Sequence, residues 1–284
     1  MTGQYLILND KLLRTDEVHI DCFNRSFLYG DGLFETIRCT GTNPLFFDLH
    51  WKRLTDGMKV LKMKTGKGFT LTFVKNAIER LLNKSRIYKG ARVRLTVFRN
   101  SGGFYTPEDN GISWLVQASA IKDEVFELNQ KGLSIDMYDE VRKPVDRFAN
   151  LKTNNALLYV MAGIWRREQG LDECFIQNQY GRIAEMISSN VFIAKENKLT
   201  TPPLSEGCIA GTMRQTIIQL AVGAGYTIEE KGILEKNILE ADEIFITNAI
   251  QGIRWVGAYK DRRYFNFVTK RLINLLNQKL DKND

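Results

Sequence analysis

Segments with strand-like alternation follow one another through much of this chain, and only a few helical segments lie between them. Ala91 to Phe98 alternates apolar and polar residues, as a strand with one buried face does. Thr72 to Asn83 instead repeats apolar residues at helical spacing. Strands that come in runs, without regular alternation with helices, are typical of an α+β fold and not of a doubly wound parallel sheet.

Other segments extend this pattern. Strands are predicted at Gln4–Asn9, Lys11–Arg14, Leu33–Cys39, Leu45–Asp48, Ile112–Ala118, Gly132–Tyr138, Glu173–Asn178, Arg182–Ile187, Asn190–Ala194, Lys198–Thr201, Tyr226–Glu230, Glu243–Thr247 and Ile253–Val256. Helices are predicted at Leu49–Lys62, Thr153–Glu168, Thr212–Gly223 and Phe267–Leu280.

A polar stretch from Ser119 to Glu127 separates two periodic blocks of the sequence. The 284 residues are enough for one large domain or two modest ones. We therefore predict an N-terminal α/β domain at residues 1–118, a linker at 119–127 and a larger C-terminal domain at 128–284.

The charge distribution argues against nucleic-acid binding. The formal net charge is +7, but the lysines and arginines are scattered and form no stripe or recognisable module. A mildly basic balance also suits an enzyme with anionic ligands. No apolar run approaches the roughly 18 residues that span a bilayer. Met1 to Asp10 does not resemble a secretory signal, so we expect a cytoplasmic protein.

The cysteines and histidines predict neither a disulfide scaffold nor a metal site. The four cysteines are far apart and form no Cys-x-x-Cys pair. With only two histidines in the chain, we expect no zinc site and no bound metal.

Lys152 stands where an apolar helix is predicted to begin. A lysine at such a place is most often an exposed surface residue. In a partly dry site, however, a lysine amine can attack an aldehyde and act as a covalent catalyst. The residues described next favour this second interpretation.

Glu185 lies in a strand-like segment with alternating apolar flanks. A lone glutamate there is most often exposed, whereas an inward glutamate needs a partner. A pyridinium nitrogen is one such partner, since a carboxylate keeps it protonated and lets the ring accept electrons.

A glycine-containing turn at Gly211 precedes the helix predicted from Thr212, and this junction could bind an anion. Gly211 permits a tight turn, and the N–H groups of Thr212 and Met213 would point outward at the helix start, where a phosphate can bind. Such junctions are common. Arg53 could contact the same phosphate, although it could equally be an ordinary exposed helix arginine.

Together these segments resemble the class IV aminotransferases, the fold type IV group of pyridoxal-phosphate enzymes. The matching segments follow the order of the family along most of the chain: Tyr29-Gly30-Asp31-Gly32-Leu33-Phe34-Glu35-Thr36-Ile37-Arg38, His50-x-x-Arg53-Leu54, Lys152, Glu185 with Ser189-Asn190-Val191-Phe192, Thr201-Pro202-Pro203 and Gly211-Thr212-Met213-Arg214. The resemblance implies a small N-terminal α/β domain, a larger C-terminal domain with a barrel-like sheet, and a homodimer with shared active sites.

The resemblance also implies a role for individual residues. Lys152 would carry pyridoxal 5′-phosphate as a Schiff base and move the substrate proton, and Glu185 would hold the pyridine nitrogen. The implied cofactor-binding residues are Arg53, Lys152, Glu185, Ser189, Asn190, Ile209, Gly211, Thr212, Met213 and Asn248, with Ile209 against the ring face. The implied substrate-binding residues are Phe34, Thr36, Arg99 and Tyr105.

No subgroup signature of the family is complete. Branched-chain aminotransferases have a tyrosine where Leu157 stands and favour a glycine in place of Thr36. D-amino-acid aminotransferases use a loop arginine and histidine, but the loop from Arg99 to Pro107 has no histidine. Aminodeoxychorismate lyases often carry an arginine near Tyr105, and none is present.

Three functions therefore stay open. An aminotransferase acting on a small amino acid is favoured, and an aminodeoxychorismate lyase that makes 4-aminobenzoate and pyruvate is the alternative. A non-enzymatic or cofactor-sequestering protein is disfavoured, because Lys152 and Glu185 are both present.

Overall fold

The computed structural model describes residues 4–281, and the outermost residues of the two predicted domains lie outside that range. The chain divides into two units. The first comprises the chain up to Glu124 together with Leu151–Asn155, and the second comprises Val125–Asn150 and the chain from Ala156 onward. Leu151–Asn155 thus belong to the first unit, although they follow the predicted linker in sequence.

The first unit is a six-stranded antiparallel sheet with helices. Its strands are β1 (Tyr5–Leu8), β2 (Lys11–Arg14), β3 (Gly32–Thr40), β4 (Asn43–Pro44), β5 (Gly90–Arg99) and β6 (Ile112–Ile121), in the order β2-β1-β6-β5-β3-β4. Its helices are α1 (Arg25–Tyr29), α2 (Phe47–Val60) and α3 (Leu71–Lys84). Residues 119–121 of the predicted linker belong to β6.

One face of this sheet forms the core with α2 and α3. Leu95 of β5 is buried on that face, as every second residue of the strand is. The apolar stripe of α3, which includes Ile78 and Leu81, packs into the same core. The opposite face of the sheet carries Phe34 and Arg94, which are only partly buried.

The predicted strand at Leu45–Asp48 is wrong. Phe46 adopts a left-handed conformation with φ 52°, and α2 begins at the next residue. Only the two residues of β4 continue the hairpin from β3. Three consecutive apolar residues fit a short strand and the first turn of a buried helix equally well, so periodicity could not separate the two.

The second unit contains a nine-stranded mixed sheet. Its strands are β7 (Leu133–Lys143), β8 (Glu173–Asn178), β9 (Ile183–Met186), β10 (Asn190–Lys195), β11 (Lys198–Thr201), β12 (Thr227–Glu230), β13 (Glu243–Asn248), β14 (Gly252–Tyr259) and β15 (Arg262–Arg263). Their order is β12-β11-β10-β13-β14-β7-β8-β9, with β15 paired to β14. The helices are α4 (Leu157–Glu168), α5 (Thr212–Gly223), α6 (Glu235–Leu239) and α7 (Phe267–Asp281).

This sheet curls back on itself. β9 and β10 are five strand spacings apart in the sheet order, which would separate them by about 24 Å in a flat sheet. They are nevertheless joined by three residues, which span at most about 14 Å, and the Met186 N–H donates to Ser189 O at 2.8 Å across the connection. The α+β class and the barrel-like sheet are therefore confirmed.

No helix among residues 4–281 is long and apolar enough to cross a membrane. Within the same range, no group of three or more His, Cys, Asp or Glu side chains could hold a metal ion.

Glu173 at the start of β8 is a buried carboxyl whose pKa shift can be measured. Its Oε1 accepts the N–H groups of Cys174 at 3.1 Å and Ile187 at 3.3 Å. Burial raises the pKa of Glu173 from 4.5 to about 7. The folded protein therefore holds this proton more tightly than the unfolded chain, and the free energy of unfolding should fall as the pH rises through this interval.

We expect Glu173→Gln to raise the free energy of unfolding by roughly 1–3 kcal/mol at pH 8 and by much less at pH 5. The amide keeps an acceptor for both N–H groups and removes the charge. Urea denaturation at the two pH values measures the effect, and the exposed Glu168→Gln is the control. An equal effect of Glu173→Gln at both pH values would contradict the raised pKa.

Candidate active site

Lys152 lies in an extended segment that completes one edge of β3. Lys152 O accepts the Phe34 N–H, and the Asn154 N–H donates to Gly32 O, both at 2.9 Å. Thr153 pairs with Leu33 between these two bonds. The prediction that the helix starts at Thr153 is therefore wrong, because the backbone around Lys152 is bonded to a strand and α4 begins only at Leu157.

Gly32 is required by the close approach of β5. A Cβ at Gly32 would overlap the side-chain nitrogen of Asn154 and come within 2.8 Å of Val97 O. The glycine therefore lets β5 approach β3 closely, whereas the end of the Asn154 side chain could move.

The Lys152 side chain lies against an aromatic ring beside a second cation. Its Nζ is 4.4 Å from the centroid of the Phe34 ring, and the guanidinium carbon of Arg94 is 3.7 Å from the same centroid. Arg94 stands opposite Thr36 in the register of β3 and β5, and its Nε donates to Thr96 Oγ1 at 3.2 Å. The predicted residues Lys152, Phe34 and Thr36 are thus brought together on the non-core face of the sheet.

Sequence analysis missed Arg94. It alternates with buried residues in β5, and this pattern is the usual sign of a solvated face. The structure shows it partly buried, and burial lowers the pKa of its guanidinium. Its position facing Phe34 depends on pairing with a strand far away in sequence.

Arg53 belongs to a buried cluster on the other face of β3. Its Nε and Nη2 donate to the Glu35 carboxylate at 2.8 and 2.5 Å. Nδ1 of His50 lies 2.6 Å from the same carboxylate. Burial alone would raise the pKa of Glu35, but Arg53 and the hydrogen bond with His50 hold it at about 2. A contact of Arg53 with a phosphate would have to use N–H groups that do not bind Glu35. This contact stays a prediction.

Arg99 and Tyr105 are not brought together. The Arg99 guanidinium is buried and donates to Asp31 at 2.8 Å, to Asn110 Oδ1 at 2.6 Å and to Leu61 O at 2.8 Å. Tyr105 is 89% exposed, and its ring packs on Tyr29. Within its unit, Arg99 is thus engaged in internal contacts, while Tyr105 faces outward.

Glu185 is deeply buried in β9 of the second unit. Only 3% of it is exposed. Its Oε1 accepts Lys143 Nζ, and it also accepts the hydroxyl of Tyr159 at 2.7 Å. Its Oε2 accepts the backbone N–H of Ile209 at 2.8 Å. Glu185, the predicted partner of the ring nitrogen, and Ile209, the predicted ring-packing residue, are thus joined by a hydrogen bond.

The start of α5 gathers several predicted cofactor-binding residues. Asn190 Nδ2 donates to Ile209 O at 2.9 Å. Gly211 has φ −66° and ψ 131°, which any residue can adopt. Its lack of a side chain is needed for space, because a Cβ would overlap Asn190 Oδ1. Thr212 and Met213 form the first turn of α5, whose N–H groups have no acceptor within the helix.

Ser189 and Asn248 are also brought together. Asn248 Nδ2 donates to Ser189 Oγ at 3.0 Å, and Asn248 Oδ1 accepts the N–H groups of Ile250 and Gln251.

The buried thiol of Cys208 near Glu185 is not a competing nucleophile, since burial raises its pKa to about 12.

A sequence model described as amino-transferase class IV matches residues 32–259, which is most of the chain. The chain belongs to the class IV aminotransferase family. The match confirms the family predicted from the ordered motifs. Enzymes of this family depend on pyridoxal phosphate.

Relatives in the class IV aminotransferase family carry out different reactions. The chain is 28% identical over 253 residues to the aminodeoxychorismate lyase of Bacillus subtilis, covering 86% of this chain and 83% of that protein. It is 27% identical over 254 residues to the D-alanine aminotransferase of Bacillus licheniformis, covering 86% and 84%. The similar identities do not separate an aminotransferase from a lyase.

Solved structures support the fold. The branched-chain aminotransferase from Thermoproteus uzoniensis, solved with norvaline, superposes with a TM-score of 0.85 and 21% identity. The match covers 96% of this chain and 93% of that one. It shows a shared class IV aminotransferase fold along nearly the whole chain.

Proposed function

We propose that this chain is an aminotransferase that moves an amino group between an amino acid and a 2-oxo acid, with Lys152 binding pyridoxal 5′-phosphate as a Schiff base. The observation that carries the proposal is the placement of Lys152. Two backbone hydrogen bonds to β3 fix its segment, and its amine lies on the ring of Phe34.

The polar groups of the second unit fit the chemistry of this cofactor. Glu185 offers a buried carboxylate to a ring nitrogen. The first turn of α5, with Thr212 and Met213, offers backbone N–H groups to a phosphate. Ser189 and Asn248 would add side-chain donors to the same phosphate.

Pyridoxal 5′-phosphate, when bound, supplies a protonated ring that accepts electrons from a deprotonated substrate carbon. The chain's residues would do the rest. Lys152, once released by the incoming amine, would remove the proton from the substrate Cα and deliver it at C4′ of the cofactor. Glu185 would hold the proton on the ring nitrogen. Arg94 would attract the substrate carboxylate to the same face as Lys152.

The alternative is an aminodeoxychorismate lyase, and one position favours it over a branched-chain aminotransferase. Leu157 stands where the branched-chain aminotransferases have a tyrosine, and its side chain is exposed. The lyase reaction begins with the same deprotonation and then expels a leaving group, so Lys152 and Glu185 would keep their roles.

A half-reaction screen distinguishes the two reactions. Purified protein loaded with pyridoxal 5′-phosphate is mixed with single L- and D-amino acids without any 2-oxo acid. We expect one amino acid to convert the absorbance of the lysine-bound cofactor to that of the pyridoxamine form. The proposal fails if no amino acid does so and pyruvate is released from aminodeoxychorismate, which would establish the lyase.

We further propose a homodimer, and α4 carries an apolar stripe that a second copy of this chain would cover. Leu157, Val160, Met161 and Ile164 recur at helical spacing and are 36–67% exposed. We expect Ile164→Asp to shift the protein towards the monomer in light scattering. The control is Val222→Asp, which places the same change at an exposed site on α5. Equal masses for wild type and Ile164→Asp would contradict this use of α4.

A further inference from the structure

Lys143 and Tyr159, which no sequence motif singled out, hold the carboxylate of Glu185. Lys143 Nζ and the Tyr159 hydroxyl both donate to Oε1 of Glu185. The side chains of Lys143 and Glu185 are only 7% and 3% exposed. The Lys143 ammonium also lies 5.5 Å from the centroid of the Tyr159 ring. The three groups form one buried cluster.

Three separate elements build this cluster. Lys143 is the last residue of β7, and it pairs with Asn178 of β8 beyond an irregularity in the register. Glu185 pairs with Ile176 on the other side of β8. Lys143 and Glu185 thus reach each other from the two strands that flank β8, while Tyr159 comes from α4.

The contacts fix the orientation of the carboxylate. A carboxylate accepts about four hydrogen bonds. Among residues 4–281, Glu185 receives three, two on Oε1 and one on Oε2 from Ile209. About one acceptor position therefore remains, on Oε2. Burial and Glu185 raise the pKa of Tyr159, so its hydroxyl stays a donor.

We propose that Lys143 and Tyr159 are positioning residues that hold the Glu185 carboxylate turned so that a pyridine nitrogen bound against it keeps its proton. One proton is shared between Glu185 and the nitrogen, and it resides either on the nitrogen beside a carboxylate or on the carboxyl beside a neutral nitrogen. Lys143 contacts the carboxylate directly, so its charge stabilises the first arrangement. This inference rests on the proposed function.

A purely stabilising role would not require a lysine here. Burying an ion pair costs desolvation energy that the attraction often fails to recover, and apolar replacements are frequently as stable. A lysine and a tyrosine converging on one carboxylate oxygen instead suit the control of a charge, since buried carboxyls tend to become neutral when their cation is removed.

The test uses holoenzyme loaded with pyridoxal 5′-phosphate that carries ¹⁵N in the ring. The variants are Lys143→Met, Lys143→Arg and Tyr159→Phe, with the exposed Lys131→Met as control. We expect the ¹⁵N shift at pH 7.5 to report a protonated nitrogen in wild type, Lys131→Met and Lys143→Arg. In Lys143→Met the shift should move towards the neutral nitrogen, and kcat should fall by about tenfold, the change that one pKa unit carries. Tyr159→Phe should move the shift in the same direction by less.

The outcomes separate this inference from the proposed function. Equilibrium dialysis first measures cofactor binding by each variant. Wild-type protein that binds no pyridoxal 5′-phosphate would overturn both. A fully protonated nitrogen in cofactor-loaded Lys143→Met would overturn this inference alone. If Lys143→Met does not fold, an unshifted ¹⁵N signal in Tyr159→Phe overturns it instead.

Discussion

Replacing Lys152 with alanine is expected to abolish turnover, with a loss of about 1,000-fold or more. A general base alone contributes about 10²–10⁴-fold, and Lys152 is also proposed to bind the cofactor covalently. The absorbance band of the lysine-bound cofactor should disappear in the same variant. Lys89→Ala removes an exposed lysine of the same unit and should leave both readouts unchanged.

Chemical trapping makes this prediction specific to one residue. Borohydride reduction of the loaded wild-type protein should fix the phosphopyridoxyl group on the peptide that contains Lys152. A label on Lys143 instead would assign the covalent role to that buried lysine. Substantial turnover by Lys152→Ala would reject the proposed site.

Replacing Glu35 with alanine is expected to lower the free energy of unfolding by about 3–5 kcal/mol, because removal of one partner leaves a buried charge without compensation. Glu35 is 1% exposed and binds both Arg53 and His50. Asp56→Ala is the control, since its pairs with Lys52 and Lys59 are exposed and such pairs contribute about 1 kcal/mol or less.

The effect should depend on pH in a defined direction. The pKa of Glu35 is lowered from 4.5 to about 2 in the folded protein. Its contribution to stability is therefore fully present above pH 4.5 and is lost as the pH falls towards 2. Urea denaturation at pH 7 and pH 3 measures the difference between wild type and Glu35→Ala. A difference that stays constant over this range would contradict the ionised state of Glu35.

The elements that the sequence predicts well are those with a local cause. β5 alternates because one of its faces covers a core, and α5 has the predicted bounds from Thr212 to Gly223. The helix predicted from Thr153 is wrong at its start, because the conformation of this segment is set by β3, which is distant in sequence. The short helices α1 and α6 have too few residues for a clear period.

The same distinction holds for the candidate site. The motifs around Glu185 and Gly211 are local, and the residues they contain do contact one another. Arg94 could not be predicted, because a charged residue in an alternating segment looks solvated until the partner strand is known. Lys143 and Tyr159 could not be predicted either, because their contacts with Glu185 join β7 and α4 to β9. The burial of Arg99 against Asp31 could not be predicted from the sequence either, since it depends on the pairing of β3 with β5.

The path of the chain through Leu151–Asn155 has a consequence for biosynthesis. These residues cover the edge of β3, but the ribosome makes them only after the whole of β7, which belongs to the second unit. A nascent chain that ends after β6 therefore leaves Gly32 O and the Phe34 N–H without these partners, and such an edge is prone to pairing with other chains. The synthesis of Lys152, which the proposed chemistry needs, therefore also supplies the segment that closes this edge.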